Sequence, residues 1–206
     1  MKPPHKLCIE GGGNTRGAQA PCREAFRELL VKAGFSSRSL QVAACGSRNN
    51  ALKEFRIALS KAKSGDFVAL LVDSEAPIAD IEKTWAHLKA HDYWDKPEGV
   101  TDEQVLLMTT CMETWIVADR SALEDHYGAK LQVSALPPLQ DLETRNRHDV
   151  QDQLEKATRN CTNAYKKGKR SFVVLATLDP EVLSQHLPSF ARVVRILNQK
   201  LPPRAR

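Results

Sequence analysis

The sequence predicts an α/β fold with a parallel, doubly wound sheet, flanking helices and a mainly helical C-terminal extension. Within the first 110 residues, four short apolar runs alternate with segments of helical periodicity, which is typical of a parallel sheet with helical crossovers. The third run, FVALLV, is apolar throughout, as a strand buried on both faces should be. After the connector SALPPLQDLETRN the chain reads mainly as helix. We therefore expect an α/β core over residues 1–135, with a basic helical extension over residues 136–206 packed on it.

The individual elements follow from the spacing of apolar residues along the chain. Apolar side chains recur every three or four residues in the segments predicted as helices. The run RSFVVLATL fits a helix and a strand equally well. Strands are predicted at KLCI (6–9), LQVAAC (40–45), FVALLV (67–72) and VLLMTT (105–110), and helices over 18–33, over 50–62, around Trp85 and from Phe190 to Leu201.

The charge of the chain is unevenly distributed. The 206 residues carry a formal net charge of +5. From Arg145 onward there are thirteen Lys and Arg against five Asp and Glu, whereas the first 144 residues carry seventeen against twenty. A basic C-terminal part favours a polyanionic partner such as nucleic acid, although a solvated basic face explains the charge equally well.

Several features favour a location in the cytoplasm. No apolar run is long enough to cross a membrane, and the N-terminus lacks the apolar segment of a secretory signal. The five cysteines are scattered and form no C-x-x-C pair, which argues against a disulfide framework and a thiolate zinc site. We therefore expect a cytoplasmic protein with no membrane partner.

Acidic residues follow three of the four predicted strands. Glu10 follows the first strand, Asp73 and Glu75 follow the third, and Glu113 comes shortly after the fourth. Because the carboxyl ends of parallel strands meet at one edge of the sheet, these side chains should lie together. Residues two apart in an extended chain point the same way, so Asp73 and Glu75 are expected to converge. Clustered carboxylates favour a hard cation, and we predict that Asp73, Glu75 and Glu113 bind Mg²⁺ or Mn²⁺. Glu10 is then a further ligand or a general acid/base.

A glycine-rich loop and a basic cluster are candidates for binding phosphate. Backbone amides of a glycine-rich loop approach a phosphate closely, and a metal ion would connect that phosphate to the acids. Lysines and arginines that cluster near residue 168 are candidate contacts to a phosphodiester backbone, and a solvated turn explains the cluster equally well. The predicted phosphate- or nucleic-acid-binding residues are Gly11, Gly12, Gly13, Asn14, Arg16, Lys167, Lys169 and Arg170.

Each of these features also has an ordinary structural explanation. Asp73 can cap the next helix, Glu10 can pair with a surface lysine, and Glu113 can be exposed in a first helical turn. Their joint placement at one sheet edge is what favours a site.

His87 and His91 lack the intervening acid of a zinc-protease motif and are predicted to be surface residues. The sequence contains neither a G-x-S-x-G elbow nor a G-x-x-x-x-G-K-[ST] loop, which disfavours a serine hydrolase and a P-loop NTPase.

The runs IEGGGN, LLVDSEAP and METWIVADR together resemble a bacterial Toprim-like family. The tail YKKGKRSFVVLATLDPEVL, followed by LPSFARVVRIL, extends the resemblance over nearly the whole chain. Toprim is the Rossmann-like, metal-binding module of topoisomerases, bacterial primases and overcoming-lysogenization-defect nucleases. The resemblance implies that Glu10 is the general acid/base and that Asp73 is the first metal-binding acid. Glu75 stands where Toprim domains have a second Asp, which is a departure, and Glu113 has no fixed counterpart.

The resemblance implies two functions of different classes. The first is Mg²⁺-dependent phosphodiester hydrolysis of nucleic acid by a Toprim-type endonuclease. Members of the family are often encoded beside an AAA or ABC-type ATPase, which implies a role in phage defence and an ATPase partner. The alternative is a catalytically weak partner or sensor module that acts only in complex with the ATPase. A small phosphohydrolase is a third possibility, although no phosphoaspartate motif is present, and DNA and RNA fit equally as substrates.

Overall fold

The computed structural model describes residues 5–13, 15–36 and 38–201. Within these residues four parallel strands form one sheet in the order β2-β1-β3-β4. The strands are β1 (His5–Ile9), β2 (Leu40–Ala44), β3 (Val68–Asp73) and β4 (Val105–Met108). The helices are α1 (Arg16–Lys32), α2 (Arg48–Leu59), α3 (Thr84–Asp92), α4 (Met112–Ala118), α5 (Arg120–Tyr127), α6 (Arg147–Thr158), α7 (Lys169–Thr177), α8 (Pro180–His186) and α9 (Pro188–Lys200).

The predicted α/β fold, with its parallel sheet, flanking helices and helical C-terminal part, is confirmed, and it is consistent with a Rossmann-like architecture. The run RSFVVLATL, whose periodicity was ambiguous, forms helix α7. The described part of the chain contains no helix with the length and apolar character needed to cross a membrane.

Different helices cover the two faces of the sheet. Residues two apart on a strand face the same side, so Leu7 and Ile9 of β1 pack in one apolar cluster, while Cys8 packs in another. The first cluster contains side chains from α1 and from α4 to α9, and the second contains side chains from α2 and α3. Trp115 is buried in the first cluster, where its ring packs edge-on against Phe26 and Phe190. The larger core therefore lies on the face covered by the C-terminal helices.

The C-terminal helices are joined to the α/β part by polar contacts as well as by this core. Lys32, at the end of α1, donates hydrogen bonds to the carbonyl oxygens of Ala176 (2.7 Å) and Leu178 (3.3 Å) near the end of α7. Arg192 of α9 is buried and donates to the carbonyl oxygen of Val105 in β4 at 2.9 Å. These contacts fix α7 against α1 and α9 against β4. The division of the chain at residue 135 stays a prediction.

The strand order creates a topological switch point between β1 and β3. The chain leaves β1 towards β2 on one side and then crosses to β3 on the other side of β1. In open parallel sheets, ligands bind at the carboxyl ends of the strands that flank such a point. Glu10 directly follows β1, and Asp73 is the last residue of β3. The fold therefore places these two predicted site residues at the position where ligands are expected.

Candidate functional site

A cleft with a volume of about 420 Å³ opens at the carboxyl ends of β1 and β3. Carboxylates line it from three elements, since Glu10 follows β1, Asp73 ends β3 and Glu113 lies in the first turn of α4. Lys167 and Lys169, next to and at the start of α7, line the same cleft. The structure therefore brings together three of the four predicted carboxylates and both predicted lysines.

The glycine loop forms another part of the lining, and its backbone requires glycine. Gly11, Gly12 and Gly13 all have positive φ angles, of 131°, 82° and 65°. A Cβ atom at Gly12 would lie only 2.7 Å from the Cα atom of Gln19, so no other residue fits there without movement of α1. Gly11 and Gly46 exchange two backbone hydrogen bonds, of 2.8 and 2.9 Å, which fix the loop against the segment after β2. The predicted Asn14 and the side chain of Arg16 lie outside the described part of the structure.

The Glu10 carboxylate is held at the lip of the cleft by two donors. Its Oε2 atom accepts hydrogen bonds from Nη1 of Arg48 at 3.2 Å and from the backbone N–H of Asp73 at 3.3 Å. Its partner is thus a largely buried arginine and not a surface lysine. Burial raises the pKa of Glu10 above its usual value, although the charge of Arg48 opposes the increase. A carboxyl group whose pKa is raised towards neutrality is suited to exchange protons with a ligand.

Asp73 has one oxygen engaged and one free. Its Oδ1 atom accepts a hydrogen bond from the backbone N–H of Met112, at the start of α4, at 2.9 Å. Its Oδ2 atom accepts none from the described residues. Burial, followed by the negative charges of Glu10 and Glu113, raises the pKa of Asp73 well above its usual value, with Lys167 opposing. The ionised form of Asp73 would therefore be stabilised by a cation in the cleft.

Glu113 is buried. The alternative explanation, that it is an exposed residue in a first helical turn, is therefore wrong. Only 1% of its surface is accessible. Its Oε1 atom accepts a hydrogen bond from the hydroxyl of Tyr165, and its Oε2 atom accepts one from Nε2 of Gln151 at 3.1 Å. The carboxylate therefore connects α4 to α6 and to the segment before α7 and also adds negative charge beside Asp73.

Glu75 does not line the cleft with Asp73. The strand ends at Asp73, and Glu75 adopts a left-handed backbone with φ of 64°, so the alternation of an extended chain no longer applies. Its carboxylate pairs with Arg147 of α6. Glu75, His91 and Asp92 form a second group whose possible metal-ligating atoms lie within 4.8 Å of one another. Both carboxylate oxygens of Asp92 are already bound by one arginine, at 2.7 Å each, which weakens the case for a metal ion there.

That arginine, Arg48, is the site residue that the sequence analysis missed. Its guanidinium contacts Glu10, the carbonyl oxygen of Asp73 and the carboxylate of Asp92, and it lies 5.0 Å from the ring centroid of Trp94. Arg48 is the first residue of α2 and follows β2 closely, so it lies at the same sheet edge as the acids. A search of the strand ends for basic as well as acidic residues would have found it.

The predicted basic cluster divides into residues that reach the cleft and residues that do not. Within the described residues, neither Lys167 nor Lys169 forms a hydrogen bond or an ion pair, and both side chains are exposed at the cleft. Arg170 donates a hydrogen bond from Nη1 to the carbonyl oxygen of Ala164 at 2.9 Å and lies outside the cleft lining. Among the predicted basic residues whose side chains the structure describes, Lys167 and Lys169 are therefore the cations that remain unpaired at the cleft.

Comparison with protein families places this cleft within a defined domain. Residues 9–198 match a family model described as a domain of unknown function, DUF4276. The chain belongs to the DUF4276 family. The match includes both parts of the cleft, from Glu10 to the start of α7, so the acids and the lysines belong to one DUF4276 domain. No curated protein and no solved structure matches the chain.

Proposed function

We propose that this DUF4276 protein is a metal-dependent phosphodiesterase that acts on nucleic acid, as a Toprim-type endonuclease. The observation that supports this function best is the composition of one cleft at the switch point of the sheet. Glu10 and Asp73 contribute negative charge from the two strands that flank this point, while Lys167 contributes positive charge from beside α7. Phosphoryl transfer depends chiefly on positioning and on electrostatic stabilisation, and these groups supply both.

The donor set of the cleft fits Mg²⁺ or Mn²⁺. Mg²⁺ in proteins usually takes one or two carboxylates and completes its shell with water and phosphate oxygens. Asp73, with its free Oδ2 atom, is the residue we assign as the metal ligand, and Glu113 assists through its charge. A bound ion would act as a Lewis acid that polarises a phosphoryl oxygen. Glu75 is neutralised by Arg147 and does not contribute to this set.

The remaining residues of the cleft have distinct roles in this proposal. The backbone N–H groups of the glycine loop and the ammonium groups of Lys167 and Lys169 bind phosphate oxygens. Glu10, whose pKa is raised by burial, takes up or releases the proton during hydrolysis. Arg48 holds the Glu10 carboxylate in place through Oε2, and Oε1 accepts no hydrogen bond from the residues that the structure describes.

Replacement of Asp73 by Asn tests this function directly. Asn retains an oxygen that accepts the Met112 N–H bond, so the fold is preserved while the negative charge is lost. We expect cleavage of supercoiled plasmid or total RNA in Mg²⁺ or Mn²⁺ to fall about a thousand-fold, because a metal contributes several kcal/mol to such a reaction. Asp152→Asn, which makes the same charge change at an exposed position on α6, should cleave like wild type. Metal-dependent cleavage by Asp73→Asn at the wild-type rate would refute the assignment.

One observation favours a second function, a partner or sensor module for an ATPase. The Glu75–Arg147 pair leaves the predicted pair of metal-binding acids unassembled in this conformation. The resemblance to the Toprim-like family supports an AAA or ABC-type ATPase as partner and phage defence as the biological role. The scattered cysteines support the cytoplasm as the location. A protein that is inert with Mn²⁺ when purified alone, but that cleaves nucleic acid after addition of the neighbouring ATPase, would favour this second function.

A further inference from the structure

The size of the cleft limits what part of a nucleic acid can reach Asp73. Its volume of about 420 Å³ falls within the range of sites for small molecules, about 300 to 1,000 Å³. A DNA duplex, whose major groove alone is about 12 Å wide, is far larger than such a cavity. The cleft therefore admits a unit of nucleic acid of about one nucleotide.

One part of the cleft lining is polar and basic and another part is apolar, which matches the phosphate and the base of a nucleotide. The glycine loop, Lys167 and Lys169 form the end that suits a phosphate. Phe172 of α7 and Met112 of α4 form an apolar wall in the same cleft. A nucleotide likewise joins a charged phosphate to a base with an apolar face.

The apolar wall adjoins the phosphate end directly. The Cζ atom of Phe172 lies 3.9 Å from the position that a Cβ atom would occupy at Gly11. The ring therefore lies beside the glycine loop, at a separation typical of van der Waals contact. A phosphate at the loop would consequently have its attached sugar and base next to Phe172 and Met112.

We propose that the cleft binds one nucleotide unit, with its phosphate at the glycine loop and Lys167 and its base against Phe172. The nucleic acid then reaches Asp73 as a single strand or a strand end, and an intact duplex stays outside. This inference rests on the proposed function, which it narrows to a substrate with at least one unpaired nucleotide. It assigns Phe172 as a residue that recognises the base and Lys167 as one that recognises the phosphate.

Binding measurements test this inference without any cleavage. Isothermal titration calorimetry in Mg²⁺ would compare thymidine 5′-monophosphate, inorganic phosphate and thymidine, none of which contains a phosphodiester bond. We expect the monophosphate to bind about ten-fold more tightly than inorganic phosphate, because stacking of a base on an aromatic side chain typically contributes about 1 to 3 kcal/mol, and about 1.4 kcal/mol corresponds to ten-fold. Equal affinities for the monophosphate and inorganic phosphate would overturn the inference.

Two variants separate the two ends of the site. Phe172→Leu keeps an apolar side chain in the core and should weaken binding of the monophosphate but not of inorganic phosphate. Lys167→Met should weaken both ligands, whereas Lys166→Met, at an exposed neighbour that does not line the cleft, should weaken neither. Equal effects of Phe172→Leu on both ligands, or equal effects of the two lysine substitutions, would contradict the assigned roles.

A competition experiment distinguishes this inference from the proposed function. A 5′-phosphorylated single strand should displace a fluorescent nucleoside monophosphate at a concentration at least ten-fold lower than a blunt duplex of the same length. Binding of the monophosphate without any cleavage of nucleic acid would leave the nucleotide site standing and refute the endonuclease. Cleavage of duplex that needs Asp73, without preference for the monophosphate or for single strands, would retain the endonuclease and refute the nucleotide site.

Discussion

Gly12 occupies a place in the glycine loop that a larger residue cannot share with α1. Its φ of 82° and the 2.7 Å separation between an added Cβ and the Cα of Gln19 both penalise substitution. We expect Gly12→Ala to lower the free energy of unfolding by about 3 kcal/mol, from backbone strain and from overpacking together.

The matched control for Gly12→Ala is Gly17→Ala. An added Cβ at Gly17 meets nothing within 4 Å, and its helical position in α1 favours Ala by up to about 1 kcal/mol. Denaturant unfolding monitored by circular dichroism measures both variants. Similar stability of the two would show that the loop can relax around a side chain.

We expect His5 to make the stability of the fold depend on pH. Its Nδ1 atom accepts a hydrogen bond from the backbone N–H of Phe67 at 2.9 Å, so this nitrogen is unprotonated in the folded state. Burial lowers the pKa of His5 below its usual 6.5, although the charge of Asp66 opposes the decrease. On acidification the unfolded chain takes up a proton first, so the free energy of unfolding falls as the pH drops from 7 through 6.5.

Replacement of His5 by Gln should reduce this dependence on pH, because Gln retains an acceptor but does not titrate. The comparison is between unfolding free energies at pH 7 and pH 5, with His148→Gln as the control at an exposed position. The role of His5 would be refuted if His5→Gln lost as much unfolding free energy between pH 7 and pH 5 as wild type does. It would also be refuted if His148→Gln reduced this loss by the same amount as His5→Gln.

The positions of single residues could be predicted from the sequence where a local pattern of residues determines them. The fully apolar run FVALLV predicted a buried strand, and Asp73 consequently lies at its carboxyl end. The position of Glu75 was not predictable in this way. Its direction depends on a left-handed backbone and on Arg147, which is 72 residues away in the chain. The role of Arg48 likewise depends on partners that are brought together only by the fold.

Among the secondary-structure elements, α4 and α6 are connected through one buried carboxylate. Glu113 of α4 accepts hydrogen bonds from Gln151 of α6 and from Tyr165, which precedes α7. Tyr165→Phe removes one donor and leaves Glu113 buried with a single partner. We expect the free energy of unfolding to fall by about 1 to 3 kcal/mol, the usual cost of a buried polar group left without its partner.

The matched control for Tyr165→Phe is Tyr93→Phe. Tyr93 is 81% exposed, so loss of its hydroxyl should change the unfolding free energy by less than about 0.5 kcal/mol. A double variant, Tyr165→Phe with Glu113→Ala, which removes the acceptor, should be less destabilised than the sum of the two single variants, because the two groups interact. Strict additivity in this cycle would show that the hydrogen bond contributes nothing.

Helix α7 shows where prediction of elements from the sequence was incomplete. The run RSFVVLATL is apolar enough for either a strand or a helix, and its periodicity does not decide between them. In the structure it packs along α1, and Lys32 caps its last carbonyl groups. These interactions are tertiary, so the helix was not determined by local sequence alone.

At the scale of the whole molecule, the apolar core extends across the predicted boundary at residue 135. Trp115 packs against Phe190, and residues from α1 and from α6 to α9 belong to the same cluster. We expect the full chain to unfold in one cooperative transition and the fragment 1–135 to show none, because the fragment exposes the face of the sheet that these helices cover. Tryptophan fluorescence in a denaturant titration measures both. A cooperative transition in the fragment would establish residues 1–135 as an independent domain.

The cleft is built from residues that lie far apart in the chain, so it is completed only late in the synthesis of the protein. Proteins are made from the N-terminus, so a nascent chain that has completed β4 and α4 already contains Glu10, Asp73 and Glu113. It still lacks Tyr165, the hydrogen-bond donor to Glu113, and the lysines and Phe172 that complete the cleft. A chain interrupted by a premature stop codon before α7 therefore carries the acids without the lysines and Phe172 on the other side of the cleft. A released chain consequently contains the complete cleft only if translation has proceeded through α7.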